Sequence, residues 1–121
     1  MKSIGMYKNA QKETDPTGKT LGEDGAKMDN GKIDLLTVLK QFPNALSEVS
    51  KICDYGAVEK GYGWEAWRAV PNGFNRYKRA LLRHTIKDGV DSESKLLHSS
   101  HAAWNALAVL EFELKKLKTE G

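Results

Sequence analysis

The chain has 121 residues, enough for one domain, with 40% hydrophobic and 29% charged residues and a formal net charge of +3. No apolar run approaches the ~18 residues of a membrane span, the start MKSIGMYKNAQKETD reads as no signal peptide, and a single cysteine, Cys53, excludes an intramolecular disulfide. Seven basic residues face two acidic ones between Lys60 and Asp88 while the rest is near neutral, which points to a local anionic partner rather than to a long nucleic acid.

Residues 1–31 are rich in Lys, Asp, Glu, Gly and Thr with scarcely an apolar pair. Such a stretch buries too little to offset its ordering entropy, and the expectation is an extended, flexible arm that orders on docking to a partner subunit or ligand. Residues 32–121 make up the helical domain. Leu35, Val38, Phe42, Ala45, Val49 and Ile52 step by three and four, the helical period. Pro43 interrupts that ladder, so the spacing predicts a short helix before it and a new one with Pro43 in its first turn. Gly56 is the expected stop. Glu48 lies mid-helix beside the apolar face.

The connector GAVEKGYGWEAWRAVPNG holds four glycines, Pro71, Tyr62, Trp64 and Trp67. Aromatic residues on a glycine-rich loop either cap a flat ligand or plug the core, and Lys60 and Arg68 beside them keep both readings open. A helix then runs from about Phe74, with Asn72 as its cap and Gly89 as its stop. Arg76, Arg79, Arg83 and Lys87, spaced three, four and four, form one basic stripe with no carboxylate at helical spacing inside it. A solvated face is the ordinary outcome of such a run; the missing counter-charge favours an external anion. The last helix is expected from Ser92 or Ser94 to about Lys118. Leu96, Ala103, Leu107, Leu110, Leu114 and Leu117 would form its core face, with a second seam of His98, His101, Asn105, Ala108 and Phe112. A helix apolar over so much of its surface packs on several neighbours. The fold class is all-α: a small, oligomeric helical bundle.

All three histidines, His84, His98 and His101, fall between Arg83 and Glu113, with Asp91 and Glu93 in the joining loop and Asn105 on the same seam. They admit a metal or acid/base site, or a polar network that merely locks helices together. Magnesium or manganese would draw on the carboxylates Glu48, Asp91 and Glu93, with Arg83 and its stripe on the phosphates.

Lys32-Ile33-Asp34-Leu35, the loop Gly56-Ala57-Val58-Glu59-Lys60-Gly61-Tyr62-Gly63-Trp64, Arg83-His84, Asp91-Ser92-Glu93-Ser94 and His98-Ser99-Ser100-His101 follow one another as in a known family. In their order and spacing, over about residues 31–113, they resemble the dATP/dGTP diphosphohydrolase N-terminal domain, common in bacteriophage genomes and related to the all-α nucleoside triphosphate pyrophosphohydrolases. The resemblance implies an α-helical homo-oligomer in the cytoplasm (the host's, if phage-encoded) that uses Mg or Mn to convert purine deoxynucleoside triphosphates to monophosphates and pyrophosphate. The expected catalytic residues are then Glu93, His84 and His98, and the metal ligands Glu48, Asp91 and Glu93. Lys32, Lys60, Tyr62, Trp64, Arg68, Arg76, Arg79, Arg83, His101 and Asn105 would hold the nucleotide.

Two positions depart from the family pattern: Lys95 stands where glycine is usual, and Val90 where an acidic residue is frequent. Only Glu48 represents the Glu-Glu-x-x-Glu cluster of the related pyrophosphohydrolases. Two alternatives to the enzyme therefore stand, a non-catalytic protein that sequesters a nucleotide or nucleotide-derived signal, and a structural helical module.

Overall fold

A computed structural model describes residues 13–120 of the chain. They divide into one unit that ends at Gln41 and a second that begins at Phe42.

The first unit is organised by one carboxylate. Asp15 is buried and accepts hydrogen bonds from the Thr17 amide at 2.6 Å and the Lys27 amide at 2.8 Å, as well as from the Thr17 hydroxyl. Those bonds hold its pKa below the ordinary aspartate value, the Thr17 hydroxyl contributing most. A backbone bridge pairs Thr14 with Asn30, and Lys32 forms an ion pair with Glu13 at 3.5 Å. Local hydrogen bonds, rather than apolar burial, thus order residues 13–32. Helix α1, Leu35–Gln41, closes the unit.

In the second unit, α2 spans Pro43–Asp54 with the proline in its first turn, as the interrupted ladder predicts. Gly56 does not stop it. The chain runs on through a π-helical turn, Tyr55–Glu59, and leaves only where Gly61 takes a φ of +70° that suits glycine. A 3-10 turn at Ala66–Ala69 leads to α3, Gly73–Thr85. Asn72 precedes it in the left-handed conformation, and its side chain accepts from Asn75 instead of capping a backbone amide. α3 ends at Thr85, before the expected Gly89.

The last helix, α4, covers His98–Glu120 and starts later than its apolar spacing suggests. Asp91 is the reason. Its Oδ1 accepts from the amides of Glu93 at 2.8 Å and Ser94 at 3.0 Å, its backbone amide donates to Leu96 O, and its carbonyl accepts from the Lys95 amide. This side-chain turn offers the backbone an alternative to a helix, and Val90 bridges Leu97 to close the loop.

α3 and α2 both pack on α4. The seam that faces inward is His98, Asn105, Ala108 and Phe112, whereas Leu107 and Leu110, expected in the core, are 48% and 50% exposed. Ala103 is exposed as well, and Leu96, Leu114 and Leu117 are half-buried. Periodicity locates apolar stripes without saying which meets the neighbour; here aromatic partners on α3 and the 3-10 turn select the second seam. Trp67 stands edge-on to Tyr77, Trp104 and Phe112 at 5.5–6.1 Å. Gly73 lets α3 approach: a Cβ there would lie 2.9 Å from Phe112 Cζ.

Candidate functional site

Three elements bring the histidines together. His84 comes from the last turn of α3, His98 and His101 from the first turn of α4, and Asp91 from the loop between them. The Nδ1 atoms of His84 and His98 are 2.9 Å apart, so one of them carries a proton shared with the other. Asp91 Oδ2 lies 3.9 Å from His98 Nδ1. One donor atom from each of His84, Asp91 and His98 falls within 4.8 Å of the others. His101 stacks on His84 with ring centroids 4.6 Å apart, and its Nε2 is 2.7 Å from the Ser94 hydroxyl.

The electrostatics favour neutral imidazoles at His84 and His101 beside an ionised Asp91. Burial and the neighbouring imidazoles push the pKa of His84 below the ordinary histidine value, and burial does the same for His101. Neutral imidazoles retain the lone pair that a metal needs. Asp91 is held below the ordinary carboxylate range, first by the Ser94 amide bond, so it is ionised at neutral pH. Two imidazoles and a carboxylate at this spacing could hold a divalent ion, and imidazole donors suit a transition metal better than magnesium.

His101 also belongs to a second feature, a cavity of about 380 Å³ with Trp67, Tyr77 and Trp104 in its wall and Lys60, Tyr62, Trp64 and Asn105 among its other lining residues. The connector aromatics thus divide between the two readings of the loop. Trp67 is a plug in the aromatic cluster, while Tyr62 and Trp64, 65% and 61% exposed, line the cavity from its outer side. Lys60 pairs with Glu93 at 3.2 Å and lies 5.2 Å over the Tyr55 ring. Tyr55 donates its hydroxyl to the same Glu93 oxygen at 3.0 Å and meets His101 edge-on. Bonds from Lys60 and then Tyr55 hold the Glu93 carboxyl below its usual pKa. Burial would lower Lys60, but the Glu93 and Tyr55 contacts outweigh it and raise its pKa.

The remaining candidates are engaged otherwise or lie outside the cavity lining. Glu93 is engaged by Lys60 and Tyr55 and is not one of the convergent donors, and Glu48 pairs with Lys51 at 2.6 Å. Asp91 alone of the three expected carboxylate ligands joins the imidazoles. Arg68 lies 4.8 Å over the ring of Trp67, and Arg76 donates to Pro71 O at 3.3 Å. Neither lines the cavity, nor do Arg79 and Arg83, which are exposed and form no ion pair among the described residues. Lys32 belongs to the first unit, on Glu13. The sequence did not single out Tyr55, Tyr77 or Trp104 as site residues, and Ser94 entered only within the Asp91-Ser92-Glu93-Ser94 motif. Trp104 could have been found, since it follows His101 by three and so shares its helix face.

Comparison with known proteins places the chain in a family. The family model described as dATP/dGTP diphosphohydrolase, N-terminal, covers residues 22–120, most of the chain. No curated protein and no solved structure matches.

Proposed function

Because the chain belongs to the dATP/dGTP diphosphohydrolase N-terminal family, we propose that it binds a purine deoxynucleoside triphosphate and cleaves it to the monophosphate and pyrophosphate. The observation that carries this reading is the junction at His101, which lines the aromatic cavity and stacks on the His84–Asp91–His98 group. A flat base would lie among the cavity's aromatic rings, and its phosphates would extend toward Lys60 and the histidine cluster. His84, Asp91 and His98 would hold a divalent ion, which when bound would supply positive charge for the phosphates and a more acidic water. Lys60 would supply a further positive charge to the phosphate chain, positioned by Glu93 and Tyr55. The protein would work as an assembly of several copies.

Binding without turnover is the second reading, favoured by the position of Glu48 and Glu93 outside the convergent donors. Incubation with dATP, dGTP, dCTP and dTTP, each with Mn, with Mg or with EDTA, separates the two. The proposed reaction gives deoxynucleoside monophosphate and pyrophosphate from the purine substrates with Mn. Tight nucleotide binding with neither product would establish the second reading.

A further inference from the structure

The cavity is lined by one buried polar residue, and that residue has acceptor capacity to spare. At about 380 Å³ it falls at the lower end of the ~300–1,000 Å³ typical of small-molecule sites, and its inner wall is largely aromatic. Most polar side-chain atoms of that wall are committed within the protein. Trp104 Nε1 donates to Cys53 Sγ at 3.2 Å, and the Tyr77 hydroxyl donates to Trp67 O at 3.0 Å. Tyr55 is spent on Glu93, and His101 Nε2 on Ser94.

Asn105 differs. It is only 6% exposed, and its Nδ2 donates to the backbone carbonyl of His101 at 2.8 Å. A carbonyl can only accept, so this bond fixes which way the amide faces, with nitrogen on the backbone and Oδ1 turned away. Oδ1 has no hydrogen-bond partner among the described residues. Nor is it sealed, because no fully enclosed side-chain oxygen there lacks a partner. An acceptor in a buried residue that lines a cavity is left to be satisfied by whatever enters.

We propose that Asn105 reads the base: its Oδ1 accepts a hydrogen bond from an N–H on the edge of the purine whose faces lie against the aromatic wall. The inference rests on the nucleotide reading above and adds how the base is recognised. Adenine offers its exocyclic amine, and guanine its amino or ring N–H, so one acceptor serves both. A purine without exocyclic groups offers no such donor, and binding it leaves Oδ1 desolvated and unpaired.

The test is equilibrium binding, by calorimetry with Mn, of three α,β-methylene triphosphates: those of deoxyadenosine, deoxyguanosine and unsubstituted purine deoxyriboside. The first two should bind comparably and the third roughly tenfold or more weakly, the penalty of a lost base-edge contact. In Asn105→Leu, of similar volume without the acceptor, the gap should shrink to about twofold. Equal affinity of wild type for all three ligands overturns the role of Asn105 while leaving the nucleotide reading intact. No binding of any of them overturns both. Should the leucine variant not fold, as judged by its circular dichroism, the wild-type series decides alone.

Discussion

Lys95 stands in a conformation that lysine disfavours. Its φ is +65°, the left-handed region, in the loop that Asp91 closes. The family pattern's glycine at this position has a physical reason, since glycine enters that region without the Cβ cost of ~1–2 kcal/mol. Greater freedom of the unfolded chain offsets part of the gain, so Lys95→Gly should stabilise the protein by about 0.5–1 kcal/mol in urea unfolding. A loss of stability would mean that the lysine side chain contributes contacts of its own. At this scale the sequence was informative about chemistry and silent about geometry. His84, His98 and His101 stood out because every imidazole of the chain shares one stretch. That Asp91 joins them while Glu93 turns to Lys60 and Tyr55 depends on the Asp91 turn, in which two adjacent amides fix one carboxylate and send the next side chain elsewhere.

At the level of elements, the contact between α3 and α4 is set by what is missing at Gly73. Phe112, whose ring also meets Trp67 and Tyr77, lies where a Cβ would go. Alanine gains a little helix propensity, at most about 1 kcal/mol. A methyl group 2.9 Å from a ring packed on two other aromatics costs more, because the ring or the helix must shift to admit it. Gly73→Ala should therefore lower stability by about 1–3 kcal/mol, measured by thermal or chemical unfolding; an unchanged midpoint would show that Phe112 moves freely. The break at Pro43 was legible because proline acts through its own covalent geometry. The start of α4 was not, since the apolar spacing continues through Leu96 while the turn of Asp91 interrupts the backbone. The inward seam of α4 was visible as a stripe, but its precedence over Leu107 and Leu110 follows from Tyr77 and Trp67, residues distant in sequence.

For the molecule as a whole, the balance of apolar surface points to association. Among the described residues only Ile52, Ala108 and Val109 are buried apolar side chains, while Leu82, Ile86, Leu107 and Leu110 are 48–82% exposed. So small a core rarely supplies more than about 3–5 kcal/mol, and exposed leucines on adjoining helices are a surface that a second copy can cover. Light scattering at micromolar concentration should give a mass that is a multiple of 13.5 kDa, and Leu110→Glu should reduce it. A monomer mass for the unaltered protein would contradict this. No helix of the described residues is long and apolar enough to cross a membrane.

In the proposed nucleotide site, Asp91 and the histidines around it form the metal-binding end. Asp91→Asn tests it with little disturbance, because the amide oxygen can still accept from Glu93 and Ser94 and keep the loop closed. Pyrophosphate release from dATP in the presence of Mn, measured for both proteins, is the decisive quantity. Loss of the charged ligand should cut turnover by about 100-fold, the upper end of what support for a metal site contributes, while the melting temperature of the metal-free protein stays close to that of wild type. Undiminished pyrophosphate release by Asp91→Asn would rule out a metal-binding role for Asp91 and leave the histidine cluster as packing between α3 and α4.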